Sequence, residues 1–187
     1  MHTIIKDKLI EVEGLHFVNY LSHEKIQEKV RTLAEFISID YKHKDLVCLV
    51  VLNGAFMFGS DLLRNLDIGC EIYFVNAKSY IGMESGDLKL QIPDDLLIES
   101  RDILLIEDII DSGNTIFHLK NNLKKYHPHS IRLASLLSKP EMHKHEIEID
   151  YLGFEIPNKF VIGYGLDYNH QGRNLKDIYQ LREDISE

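Results

Sequence analysis

Seven consecutive apolar residues, Leu46-Val47-Cys48-Leu49-Val50-Val51-Leu52, set the tightest limit on how this chain can fold. The run is short, rich in β-branched residues and closed by Asn53-Gly54. Its apolar character does not alternate, so it reads as a strand buried on both faces. Such a strand needs a sheet with helices packed on each side.

The rest of the chain supplies those layers. Ser22 followed by Ile26, Val30, Leu33, Ala34 and Ile37 predicts a capped amphipathic helix. Residues 55–66 and 115–126 read as further helices, and 70–78, 103–106 and 131–137 as further strands. Shorter strand candidates lie at 151–154 and 160–164. Strands alternating with helices imply right-handed βαβ units, hence an α/β fold with a mostly parallel central sheet flanked by helices. With no internal repeat or linker, residues 1–187 form one domain. Its core spans roughly 22–140, and the ends, 1–21 and 140–187, are irregular enough to make a cap over the sheet edge.

Composition narrows the function. Thirty acids against 21 bases give a net charge of −9, and no basic block is present. Nucleic acid and anionic membranes, both polyanionic, are therefore poor partners. The longest apolar run falls far short of the roughly 20 residues of a membrane span. The N-terminus lacks the apolar centre and cleavage site of a signal peptide, so a cytoplasmic protein is expected. Cys48 and Cys70 read as small buried hydrophobes. His127-Pro128-His129 and His143-Lys144-His145 have no partner at a zinc-type spacing and read as solvated surface.

The chemistry gathers in Leu104-Leu105-Ile106-Glu107-Asp108-Ile109-Ile110-Asp111-Ser112-Gly113-Asn114-Thr115. Ligands of open α/β sheets bind at the carboxyl ends of strands. Here three acids leave a strand, and a Ser-Gly-Asn-Thr turn then opens a helix. The turn suits phosphate: backbone N–H groups, two hydroxyls, a permissive glycine and a helix dipole. The carboxylates before it do not. A sugar phosphate reconciles the two, with Glu107 and Asp108 facing ribose hydroxyls directly or through a divalent cation. A helix N-terminus decorated with acids explains Asp111-Ser112 but not the Glu107-Asp108 pair. Neither G-x-x-x-x-G-K-[ST] nor G-x-G-x-x-G occurs.

The segment resembles the phosphoribosyl pyrophosphate motif of the type I phosphoribosyltransferase family, and its Glu-Asp-Ile-Ile-Asp-Ser-Gly form is similar to the hypoxanthine-guanine branch. Leu52-Asn53-Gly54-Ala55-Phe56-Met57-Phe58 resembles that family's first diphosphate loop. Ser79-Tyr80 and Ser85-Gly86-Asp87 resemble its mobile active-site loop, within a long polar stretch suited to a lid. Ala134-Ser135-Leu136-Leu137-Ser138-Lys139 and the run from Gly153 to Asn169 resemble its purine-recognition segments.

The resemblance implies a magnesium-dependent transfer of phosphoribose to a 6-oxopurine. By it, Asp111 faces purine N7 and takes its proton. Lys139 donates to the 6-oxo group, Phe160 stacks on the ring and Val161 offers backbone groups to the base edge. Glu107, Asp108, Asp111, Ser112, Gly113, Asn114 and Thr115 hold the ribose phosphate. Asn53, Gly54, Ser79, Tyr80 and Arg173 serve the diphosphate, with an unusual, cis non-proline peptide implied at Asn53-Gly54. Asp167 lies near metal and base, and Glu107, Asp108 and Asp167 are the implied magnesium ligands. A dimer or tetramer is implied too.

Two departures stand out. Asn53 replaces a Lys or Arg of many relatives, and Asn114 replaces a Lys. Both remove a cation near phosphate, so greater dependence on magnesium is expected. The competing readings are a nucleic-acid-binding regulator on the same fold, and a phosphoribosyltransferase for another base such as xanthine, a pyrimidine or adenine. The acidic charge and the presence of Asp111 argue against the first; the settings of Lys139 and Phe160 argue for 6-oxopurines.

Overall fold

Side-chain alternation along Leu46–Leu52 divides the packing of the central sheet into two cores. In a computed structural model that describes residues 4–6, 9–79, 88–91, 93 and 96–182, Leu46, Cys48 and Val50 enter one apolar cluster. Val47, Leu49 and Val51 enter another on the opposite face. Both faces are covered, as the unbroken apolar run requires.

Along the chain, β1 (Ile4–Lys6), β2 (Leu9–Val12) and β3 (Leu15–Leu21) precede α1 (His23–Asp40). Then come β4 (Leu46–Leu52), α2 (Phe56–Asn65), β5 (Glu71–Ser79), β6 (Leu88–Gln91), β7 (Asp102–Ile110) and α3 (Asn114–Leu123). The last strands are β8 (Ser130–Ser138), β9 (Tyr151–Glu155), β10 (Val161–Ile162) and β11 (Ile178–Leu181). The Ser22 hydroxyl caps α1 by accepting from the Lys25 N–H, and Ile26, Val30, Leu33, Ala34 and Ile37 are its buried residues. Periodicity selected those five because one helix face meets the sheet.

The central sheet runs β6-β5-β4-β7-β8-β9. Five of its strands are parallel, and β6 is an antiparallel edge. α1 and α2 cover one face, and α3 covers the other. The order of connections reverses between β4 and β7, where an open α/β sheet splays its loops into a crevice. β4 pairs with β7 only as far as Val50↔Ile106, while β7 follows β8 to Ile110↔Ser138. The last turns of β7 therefore border that crevice.

Three expectations need correction. The terminal segments are an ordered antiparallel sheet, β1-β2-β3-β11-β10, rather than irregular. These strands are half-buried and alternate, so their apolar content is diluted; Ile10, Val12, Phe17, Ile162 and Tyr179 form their core. The cap does not begin at 140, because β9 joins the central sheet through β8. Finally, β7 extends to Ile110, so Glu107 and Asp108 belong to the strand instead of following it. Ladder bonds to β8 continue it through side chains whose polarity signalled an end.

Candidate active site

A cavity of about 310 Å³ opens at the carboxyl ends of β4 and β7, beneath the terminal sheet. Gly54 enters it from the turn after β4, Asp108 from β7, Asp111 from the turn just after β7, and Lys139 from just beyond β8. Phe160, Val161, Asp167 and Arg173 close it from the hood. Residues scattered over the sequence thus converge on one volume.

Lys139 Nζ lies 2.8 Å from Asp111 Oδ2. The lysine side chain is 7% exposed and the aspartate 49%, so the cation is held in the wall and the carboxylate reaches solvent. The Lys139 N–H donates to Ile110 O, fixing the two residues' backbones side by side.

Glu107 and Asp108 are both buried. Burial, then the charge of Asp108, pushes the Glu107 carboxyl well above the usual carboxylate range. Burial also raises Asp108, against hydrogen bonds from Glu107 and the Ile109 N–H and the pull of Arg173. Asp108 lines the cavity and Glu107 does not. A Cβ on Gly54 would overlap Asp108 Oδ2, so only glycine permits that approach.

Arg173 bridges the hood to the site. Its guanidinium pairs with Asp167 Oδ1 at 2.7 Å and donates to Gly165 O at 2.6 Å. Asp167 Oδ2 accepts the His170 N–H at 2.8 Å. Gly165, at φ 103°, sits so close to Gly54 that a side chain would strike the Gly54 carbonyl. This contact joins the hood loop to the turn after β4. Phe160 stands at the cavity mouth, 43% exposed. It packs near Phe17 and edge-on to Tyr168.

The turn beyond Asp111 has Gly113 at φ 79°, a left-handed cap that begins α3 at Asn114. The first N–H groups of a helix lack intrahelical partners and face an anion with the dipole behind them. Ser112, Gly113, Asn114 and Thr115 adjoin the cavity without lining it. Asn53 is exposed, and the cis peptide is Leu52–Asn53, one bond before the expected Asn53-Gly54. Ser79 ends β5, whereas Tyr80 and the stretch Ser85-Gly86-Asp87 lie outside the described residues.

Magnesium prefers hard oxygen donors and is commonly held by one or two carboxylates plus substrate phosphates. The Glu107–Asp108 pair supplies such oxygens, with Asp108 facing the cavity and Glu107 buried behind it. Asp167 is engaged by Arg173 instead, and the described residues contain no group of three or more His, Cys, Asp or Glu that could hold a metal.

Sequence reasoning missed Ile109 and Leu166 in the cavity wall. It also missed a network beneath the hood, in which Tyr164 Oη donates to Asp61 at 2.7 Å and Gln27 donates to the same oxygen. The available sequence signal was Tyr164 set between Gly163 and Gly165, and the structure places it at φ 51°. A bulky residue in the left-handed region needs a firm anchor.

The phosphoribosyl transferase domain family matches residues 16–169. The chain belongs to that family. Within it, this phosphoribosyltransferase is 39% identical over 167 residues to the hypoxanthine-guanine phosphoribosyltransferase of Staphylococcus epidermidis, covering 88% of this chain and 93% of that one. It is 40% identical to the bifunctional protein TilS/HprT of Listeria monocytogenes, again over 88% of this chain, but spans only 26% of that protein's length. Among solved structures, a hypoxanthine phosphoribosyltransferase from Staphylococcus aureus superposes with a TM-score of 0.85 at 34% identity, covering 100% of both chains. A hypoxanthine-guanine phosphoribosyltransferase from Bacillus anthracis gives 0.82 at 36% identity, over 88% of this chain and 96% of that one. The phosphoribosyltransferase sheet and hood described above are therefore shared with these enzymes.

Proposed function

We propose that this phosphoribosyltransferase works in purine salvage, moving the 5-phosphoribosyl group of phosphoribosyl pyrophosphate to hypoxanthine or guanine. The products are IMP or GMP and diphosphate. The observation that carries the choice of base is the Lys139–Asp111 pair. A 6-oxopurine carries its O6 acceptor beside N7–H, a donor. Lys139 is a donor and Asp111 an acceptor, side by side in the cavity. Adenine would set its amino donor against the ammonium group.

In the reaction, purine N9 bonds to C1 of the ribose while the C1–O bond to diphosphate breaks. The N7 proton passes to Asp111, a general-base contribution of roughly 10²–10⁴-fold. Phe160 stacks on the base, and the Val161 backbone faces its far edge. The turn from Ser112 to Thr115 anchors the 5′-phosphate, which places C1 for attack. The Gly54 backbone and Arg173 receive the departing diphosphate. Glu107 and Asp108, with Asp167 once released from Arg173, would hold magnesium, which when bound neutralises charge on the diphosphate. The hood excludes water from the positive charge developing at C1.

The family resemblance also supports a homo-oligomer acting in the cytoplasm. Exposed Phe36 and Ile39 on α1, and Ile72 and Phe74 on β5, are apolar surface of the sort that oligomers cover. None of the described helices is long and apolar enough to cross a membrane.

The test is direct. The protein is incubated with phosphoribosyl pyrophosphate, magnesium and hypoxanthine, guanine, xanthine or adenine in turn, and nucleotide and diphosphate are measured. Turnover with hypoxanthine or guanine and none with adenine is expected. No product from any purine would overturn the proposal.

A further inference from the structure

The turn proposed to hold phosphate opens α3 on an uncharged amide, Asn114, and the structure shows what holds that side chain. Asn114 Oδ1 lies 2.8 Å from His145 Nε2. The His145 ring stacks on Phe117 with centroids 4.0 Å apart and planes 5° from parallel. Asn114 and Phe117 are three residues apart on α3, hence on one face of the helix. One residue from outside the helix thus clasps that face at both points.

His145 is itself held. Its neighbour Lys144 donates its backbone N–H to Ser112 O at 2.9 Å, inside the phosphate turn. Ile147 packs over Gly113 so closely that a Cβ there would overlap its Cδ1. At the start of the same segment, the Lys139 N–H is bonded to Ile110 O. Residues 139–147 therefore form a strap along the whole loop from Ile110 to Asn114, and His145 is its one side chain hydrogen-bonded to Asn114.

We infer that His145 is a positioning residue for the 5′-phosphate, acting through Asn114. With Asn114 Oδ1 as acceptor, His145 Nε2 carries the hydrogen and donates it. The amide is then fixed in one orientation, and its Nδ2 hydrogens remain as donors at the first position of α3, where the anion sits. A neutral donor set in place by stacking and strap does the work of a flexible cation. Phosphate binding at this turn rests on the function proposed above.

Calorimetric titration with ribose 5-phosphate, and separately with diphosphate, tests the inference in the wild type and in His145→Ala, His145→Gln and Asn114→Lys. In His145→Ala, ribose 5-phosphate should bind about three- to tenfold more weakly, the range of one ordinary hydrogen bond. The KM for phosphoribosyl pyrophosphate should rise in proportion while kcat changes less than twofold. Diphosphate affinity should hold, and His145→Gln, which keeps an N–H donor, should recover most of the loss. In the Asn114→Lys background, His145→Ala should have no further effect. Equal ribose 5-phosphate binding by wild type and His145→Ala would overturn the inference, as would parallel loss of diphosphate binding, which would mark a merely structural role. A wild type that binds neither ligand would overturn the proposed function itself.

Discussion

Lys139 Nζ and Asp111 Oδ2 form a 2.8 Å ion pair in which the cation is buried and the carboxylate is half open to solvent. In the proposed reaction an incoming base would take over both partners, which asks for a pair looser than a structural one. Exposure of Asp111 achieves this, since water screens the attraction that a fully buried pair would keep.

Asp111→Asn should lower kcat by about 10²–10⁴-fold, the usual contribution of a positioned base. Phosphoribosyl pyrophosphate should still bind within a few-fold of wild type, because most of the groups proposed to hold it lie outside the Asp111 side chain. Steady-state kinetics and calorimetry separate the two effects, and an unchanged kcat removes Asp111 as base.

Lys139→Ala should raise the KM for hypoxanthine and guanine at least about tenfold, the loss of a charge-assisted hydrogen bond. Adenine should remain a poor substrate of the wild type, with kcat/KM lower by about 10³ or more, because two donors would face each other unpaired. Equal use of adenine and hypoxanthine would remove Lys139 as the reader of the 6-oxo group.

Gly165→Ala should destabilise the protein by about 1–3 kcal/mol, since φ 103° is strained for any residue with a Cβ. The added methyl also strikes the Gly54 carbonyl, so the hood loop must withdraw from the turn after β4. Urea denaturation and the KM for phosphoribosyl pyrophosphate should both register the change; a stable variant with unaltered KM would show that the hood contact is dispensable.

Glu107→Gln should stabilise the free protein, increasingly so at higher pH. Burial raises the Glu107 carboxyl above its unfolded value, so the folded state binds more protons than the unfolded chain between the two. The associated stability is present below the unfolded value, about pH 4.3, and is lost as pH rises through the folded one. Glutamine has no charge to lose and keeps an oxygen to accept the Asp108 N–H. The Tm difference between variant and wild type should widen as pH rises above the unfolded carboxyl's range. The same variant should need more magnesium for half-maximal activity. A Tm difference that does not vary with pH would show that Glu107 stays ionised on folding.

Much of this was legible along the chain because it is local. The run Leu46–Leu52 declared a strand covered on both faces, and the spacing from Ile26 to Ile37 declared the helix that covers one of them. Asp111 through Thr115 are consecutive residues, so one stretch of sequence displayed the whole turn proposed to hold phosphate. The hood was less legible: strands such as Leu9–Val12 bury alternate residues only, and their apolar signal is half as dense.

Juxtapositions were decided by the tertiary structure alone. Lys139 meets Asp111 because β7 and β8 pair in parallel to Ile110↔Ser138. Gly165 meets Gly54 because the hood folds back over the crevice between β4 and β7. His145, which by its spacing and polar setting read as one more surface histidine, meets Asn114 because the strap from 139 to 147 lies along the turn from Ile110 to Asn114. Sequence determined which residues could hold a phosphate, a proton or a base, since those capacities belong to single side chains and short turns. Only the fold decided which of them stand side by side, since that depends on strand register and loop closure, which bring Gly165 against Gly54 across 111 residues.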